Sequence, residues 1–86
     1  MAKLKIFALR DVRVEAFLKP MFLQNKKVLH RAIGQALQDE NSMLYVAPED
    51  YQVYELGEYD EATGQIEACA PTFIGNVNTL NGDDDA

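Results

Sequence analysis

The chain has 86 residues, enough for one small domain and too few for two. One cysteine, Cys69, excludes an internal disulfide, and with a single histidine, His30, it excludes a Cys/His zinc site. No apolar run approaches the roughly 20 residues of a membrane span, and the basic start lacks the apolar stretch of a secretory signal.

Charges of opposite sign occupy opposite halves of the chain. Residues 1–37 carry all eight cations and two carboxylates, whereas residues 38–86 carry twelve carboxylates and no Lys or Arg. The first half therefore has a charge of +6 and the second of −12, which gives the formal net charge of −6. Because electrostatic fields act over about 10 Å at moderate salt, the local balance matters more than the total. Either the halves neutralise each other in the fold, or a basic face is available to nucleic acid or an acidic partner.

Two apolar segments come first. Residues 3–9 alternate only weakly, because Phe7 and Leu9 make the more polar face apolar as well. This pattern predicts a strand that is covered on both sides or lies at a subunit contact. Residues 15–23 are also apolar but contain Pro20, which lacks the backbone donor that a sheet interior needs. We therefore predict an edge strand or an extended arm for this segment.

Helical periodicity follows over residues 26–39, with Asn25 as the N-cap. Three cations, Lys26, Lys27 and Arg31, crowd the first half of this helix, where the backbone dipole already presents positive charge. The placement is mildly unfavourable by itself, so it indicates that an anion is expected there.

The second half predicts a loop and a β-hairpin. Residues 41–50 form the loop, and strand patterns cover residues 51–59 and 65–70, joined by a five-residue turn with Gly64 in the left-handed conformation. Pro71 is expected to end the last strand.

These elements have the order β–β–α–β–β, which predicts an α+β fold: a mostly antiparallel sheet packed on one helix. We expect a single domain over residues 1–75 and a flexible acidic tail over residues 76–86.

The sequence does not indicate catalysis. Cys69 has no nearby cation in sequence and is predicted to be a buried, inert thiol. His30 is predicted on the polar side of the helix, either solvated or contacting a phosphate. The acidic pairs lie beside turns, where carboxylates cap backbone donors, and the terminal aspartates lack the closing Glu of a calcium loop. We therefore predict a protein that is not an enzyme and that needs no metal or cofactor.

Aromatic and basic residues are interleaved in the first third of the chain. A surface for single-stranded nucleic acid needs this combination, because rings stack on bases for roughly 1–3 kcal/mol each and cations bind the backbone. The candidate nucleic-acid-binding residues are Lys5, Lys19, Lys26, Lys27, Arg31, Phe17 and Phe22. The alternative is that the phenylalanines form the core and the lysines are merely solvated.

Several segments, read in order, resemble one family. The segments KLKIFALRD, FLKPMFLQN, the helix with its basic start and APEDYQVYELGEYDEATGQI are similar to the small nonstructural protein of gokushovirus-type microviruses, which are single-stranded DNA bacteriophages. The most specific parts are residues 48–51 and 56–60, followed by Gly64; the likeness does not cover the tail after Pro71, and the Lys26-Lys27 pair departs from the expected helix entry. The resemblance implies a phage protein made in the cytoplasm of the infected bacterium, absent from the virion and associated with single-stranded genome synthesis or DNA binding.

Two hypotheses follow. In the first, a homodimer or higher homo-oligomer binds DNA, expected to be single-stranded, and assists the switch to single-stranded genome synthesis. Self-association is expected because the domain is small, its first strand is apolar on both faces and a proline-bearing edge invites pairing. In the second, the protein binds no DNA but docks on the phage replication initiator or a host replication factor, or self-assembles through its oppositely charged halves.

Overall fold

The computed structural model describes residues 3–80. It contains five strands and two helices: β1 Lys3–Asp11, β2 Ala16–Phe17, β3 Met21–Leu23, α1 Lys26–Leu37, α2 Met43–Val46, β4 Tyr51–Asp60 and β5 Gln65–Asn76. Single 3-10 turns, Pro48–Asp50 and Val77–Thr79, precede β4 and follow β5. The α+β class is confirmed, whereas the strand and helix order is richer than the predicted one.

All neighbouring strands of the sheet are antiparallel, in the order β2-β1-β4-β5, with β3 also paired to β1. The segment with Pro20 lies on the edge of β1 that β4 does not occupy, as predicted, but it is split into β2 and β3. The split has a physical reason, because proline cannot donate the ladder hydrogen bond that one continuous strand would need.

The core lies between the sheet and α1. Its buried members are Phe7 and Leu9 of β1, Leu29 and Ile33 of α1, Leu44, Val53 and Val77. We call this side of the sheet the helix side. Ile6 and Ala8 point to the opposite side and are also buried, so four consecutive residues of β1 are covered. The prediction of a first strand covered on both sides is therefore confirmed.

Helix α1 begins at the predicted residue. The Asn25 side-chain oxygen accepts a hydrogen bond from the Val28 backbone N–H at 3.0 Å, which satisfies one of the unpaired donors of the first turn. The helix ends at Leu37, two residues before the predicted end.

We expect Asn25→Ala to lower the free energy of unfolding by about 1 kcal/mol, because the cap bond to Val28 is lost. Urea unfolding followed by circular dichroism measures the change. Gln24→Ala, at the exposed preceding position, is the matched control and should change stability little. Equal effects of the two substitutions would contradict the capping role.

Three predictions in the second half are corrected. Residues 41–50 contain the short helix α2, and β5 continues through Pro71 to Asn76. Proline is tolerated there because β5 is the edge strand: within residues 3–80, no strand lies on its outer side to receive a donor. The folded unit also extends past residue 75, since Val77 is fully buried and Leu80 packs on the core.

The predicted left-handed glycine is confirmed, because Gly64 has φ 78° in the hairpin turn. The acidic run at residues 83–85 of the predicted tail lies outside the described residues. Across residues 3–80, neither helix has the length and apolar character that crossing a membrane requires.

Candidate nucleic-acid interface

The side of the sheet away from α1 carries a group of aromatic side chains. Residues directly opposite each other in neighbouring strands lie on the same face. The register pairs Arg10 with Phe17, Ile6 with Phe22 and Ala8 with Tyr54. It also pairs Leu4 with Tyr59, and Tyr54 with Phe73. We call the surface formed by Phe17, Phe22, Tyr54, Tyr59 and Phe73 the aromatic face.

The rings of the aromatic face contact one another edge to face. The Phe17 and Tyr54 ring centroids are 5.3 Å apart, and those of Tyr54 and Phe73 are 5.6 Å apart, so three rings form a row across β2, β4 and β5. Phe22 and Tyr59 form a second pair at 5.6 Å. These are favourable geometries for aromatic pairs, and they hold the rings in defined orientations.

The phenylalanines of this face remain accessible. Phe17 is 43% exposed, Phe22 42% and Phe73 51%, whereas Ile6 and Ala8 on the same side of the sheet are buried. Grouped and half-exposed large apolar side chains are typical of surfaces that contact a ligand or partner. The predicted alternative, in which the phenylalanines only form the core, therefore fails for Phe17 and Phe22.

The strand carboxylates are kept off the aromatic face. The register places Glu55 opposite Phe7 and Glu58 opposite Lys5, both on the helix side, and Asp60 and Glu67 follow the same alternation. Among the paired strand positions that face the aromatic side, Arg10 is the only charged residue. Its guanidinium carbon lies 5.9 Å from the centroid of the Phe17 ring, within cation–π range.

Two amides border the aromatic face beside Arg10. The Tyr54 hydroxyl donates to the Gln52 Oε1 at 3.2 Å, and the Gln52 Nε2 donates to the Asn76 Oδ1 at 3.4 Å. These two hydrogen bonds link Tyr54 of the aromatic face to the neighbouring strand β5 through Gln52.

Four ion pairs form within residues 3–80, and each joins the basic half of the chain to the acidic half. They are Lys3–Glu58 at 3.8 Å, Lys5–Glu55 at 3.6 Å, Lys5–Glu58 at 3.4 Å and Arg13–Asp50 at 3.5 Å. Mutual neutralisation of the halves thus holds for three cations. The remaining five have no carboxylate within 4.0 Å in the described range: Arg10, Lys19, Lys26, Lys27 and Arg31.

The structure divides the predicted binding residues between two layers. Phe17 and Phe22 lie on the aromatic face, and Lys19 lies in the connection between β2 and β3. Lys5 is on the helix side and engaged by two carboxylates. The remaining three predicted residues are exposed on α1, in the layer behind the sheet: Lys26, Lys27 and Arg31.

Sequence reasoning missed Arg10, Tyr54 and Phe73 as members of the site. Tyr54 and Phe73 come from the acidic half, and only the β4–β5 register brings them beside Phe17. Cys69 is exposed rather than buried, with its Sγ 3.7 Å from the Glu55 carbonyl oxygen. Residues 3–80 hold no group of three or more His, Cys, Asp or Glu side chains arranged to bind a metal.

The Lys5 ammonium is electrostatically coupled to the second half of the chain. The nearby Glu55 charge, followed by the hydrogen bond to Glu58, raises its pKa above the ordinary value of 10.5. A raised folded-state pKa means that this stabilisation is complete below the unfolded pKa and is lost as pH rises through the folded one.

We therefore expect Lys5→Arg to reduce the loss of stability between about pH 9 and pH 11, since arginine stays charged throughout that range. Urea unfolding at both pH values measures the loss in each protein. Lys27→Arg, at an exposed lysine with no ion pair in the described range, should leave the loss unchanged. Identical behaviour of the two variants would rule out this role for Lys5.

A family model described as phage ORF5 protein matches residues 4–80, nearly the whole described chain. The match supports the phage origin that the sequence predicted, whereas the narrower likeness to gokushovirus-type microviruses stays a prediction. Neither a curated protein nor a solved structure gives a significant match to the chain.

Proposed function

Since this chain belongs to the phage ORF5 protein family, we propose that it binds single-stranded DNA on its aromatic face. The observation that supports this most directly is a sheet face with three half-exposed phenylalanines and no carboxylate at its paired strand positions. We further propose a nonenzymatic, nonstructural role in the cytoplasm of an infected bacterium, in which binding assists the switch to single-stranded genome synthesis.

In the proposed complex, bases stack on the exposed rings of Phe17, Phe22 and Phe73. Each stacked base contributes roughly 1–3 kcal/mol, and stacking does not depend on sequence because every base has a π-face. Arg10 and Lys19 contact the phosphates that connect the stacked bases. Duplex DNA presents no free base faces, so the same surface prefers a single strand.

A salt titration tests this proposal. Fluorescence anisotropy with a labelled oligo-dT gives the affinity at several salt concentrations, and a hairpin duplex of equal length is the control. Two phosphate contacts, from Arg10 and Lys19, predict a slope of log affinity against log salt near −1.4; further contacts from all three α1 cations would bring it to about −3.5. Absence of binding at low salt, or equal affinity for the duplex, would refute the proposal.

The second candidate function is that of an interaction protein that binds no DNA. The pairing of Lys3, Lys5 and Arg13 with carboxylates favours it, because this reduces the cationic surface available to a polyanion. Its partner would be the phage replication initiator, a host replication factor or another copy of the chain. Binding of oligo-dT to the aromatic face would support the first candidate and exclude the second.

A further inference from the structure

Charged side chains of both signs remain without an ion pair in residues 3–80. Three exposed cations on α1, which we call the basic patch, have no carboxylate within 4.0 Å in the described range: Lys26, Lys27 and Arg31. Around the β4–β5 turn, Asp60, Glu61 and Glu67 likewise form no ion pair in residues 3–80. The two sets match in number and are opposite in sign.

Two of these carboxylates, Asp60 and Glu67, border a concave surface. A cavity of about 390 Å³ is lined by Lys3, Glu58, Asp60, Gln65, Ile66 and Glu67. We call it the acidic cleft. Its three carboxylates face a single cation, Lys3, which already lies 3.8 Å from Glu58. A cavity of this size and charge can admit the end of a lysine or arginine side chain.

Within residues 3–80 the basic patch of a molecule forms no ion pair with its own acidic cleft. Strand β3 leads into α1, and successive register partners run from Leu23 through Lys5 and Glu58 to Glu67. Three interstrand spacings of about 4.8 Å separate the first of these residues from the last, roughly 14 Å in all. The backbone at the entry to α1 and that of Glu67 therefore lie at opposite edges of the sheet.

We infer that the protein associates with a second copy of itself, with the basic patch of each molecule against the acidic cleft of the other. A two-fold axis normal to the sheet, at the end where the β4–β5 turn lies, sets the basic side of one copy against the acidic side of its partner. Both contacts then form at once, as in an isologous dimer. Anions near the first turns of α1 also offset the unfavourable cations there. The aromatic face takes no part, so this inference is independent of DNA binding.

Paired charge reversals test the contact. Without DNA, light scattering after size-exclusion chromatography should show a dimer for the unaltered protein in low salt. The basic-patch variant K26E/K27E/R31E should raise the dimer dissociation constant at least about tenfold. The same is expected of D60K/E61K/E67K, which reverses two carboxylates of the cleft and Glu61 in the adjoining turn. Mixed in equal amounts, the two variants should form a heterodimer, because every contact between them again joins opposite charges. A change of fold in either variant cannot produce this rescue.

The control variant Q35E/Q38E adds negative charge at the exposed Gln35, near the end of α1, and at the exposed C-cap Gln38, and should leave the dimer unchanged. A monomeric unaltered protein in low salt would overturn the inference, as would failure of the mixture to form a heterodimer. It would also be overturned if K26E/K27E/R31E remained dimeric but lost oligo-dT, because the basic patch would then be a DNA surface. Retention of oligo-dT by a monomeric K26E/K27E/R31E variant supports it.

Discussion

Replacing two phenylalanines of the aromatic face, as Phe17→Ala with Phe73→Ala, should lower the affinity for oligo-dT by at least about 30-fold. The two rings lie at opposite ends of the row centred on Tyr54, so their removal takes away two separate stacking positions. At roughly 1–3 kcal/mol per base, the loss amounts to about 2–6 kcal/mol of binding free energy. Anisotropy titration at one low salt concentration measures it.

The controls separate stacking from folding. Val46→Ala removes an apolar side chain that is 74% exposed on α2, in the other layer, and should leave DNA affinity unchanged. Phe17→Trp with Phe73→Trp keeps aromatic surfaces at both positions and should retain most of the affinity, as tryptophan also stacks on bases. Unfolding free energies of all variants show whether the sheet is intact. Unchanged affinity in a folded double-alanine variant would contradict the stacking model.

Local patterns predicted the elements whose cause is local. Asn25 caps α1, Gly64 takes the left-handed turn position and β1 is apolar on both faces, because each follows from a few neighbouring residues. Pro71 misled the prediction since its effect depends on context: a proline ends a central strand but fits an edge strand. Only the strand order shows that β5 lies at the edge.

The site was less predictable because it depends on long-range register. Phe17 and Tyr54 meet across β1, whereas Phe73 lies beside Tyr54 through the β4–β5 pairing. That pairing contains register shifts at two places, between Val53 and Tyr54 and between Glu55 and Gly57. A strand pattern alone does not place such irregularities. The side of the sheet that α1 covers is also decided by packing.

Charge segregation along the chain was therefore only partly informative. Lys5 meets Glu55 and Glu58 because β1 and β4 are neighbours in the sheet, whereas Lys26 and Lys27 on α1 remain apart from the acidic hairpin. Neutralisation between the halves thus holds for Lys3, Lys5 and Arg13, whereas a basic face for nucleic acid or an acidic partner stays a prediction.

The largest expected loss of stability comes from Gly57→Ala. Gly57 lies in β4, between Ile6 of β1 and Ala68 of β5, with φ 151°, a conformation that side chains disfavour. A Cβ atom there would overlap the backbone carbonyl oxygen of Glu67 and lie 3.0 Å from the Ala68 Cα. Backbone atoms cannot move aside as a flexible side chain does, so the two strands must separate locally.

We expect Gly57→Ala to cost at least about 3 kcal/mol, combining backbone strain with lost strand pairing. A domain of this length has a total stability of roughly 4–13 kcal/mol, so the substitution should remove between about a quarter and three quarters of it. Urea unfolding and amide hydrogen exchange along β4 and β5 measure the loss and its location.

Gly64→Ala is the matched control, because its φ of 78° is also left-handed but nothing lies within 4 Å of the added Cβ. It should cost only about 1–2 kcal/mol, the penalty of the left-handed conformation alone. The difference between the two variants isolates the close approach of β5 to Gly57. An equal loss of stability in both variants would contradict the close packing of β5 against Gly57. The register that places Phe73 beside Tyr54 would then be in doubt as well, because both depend on the same β4–β5 pairing.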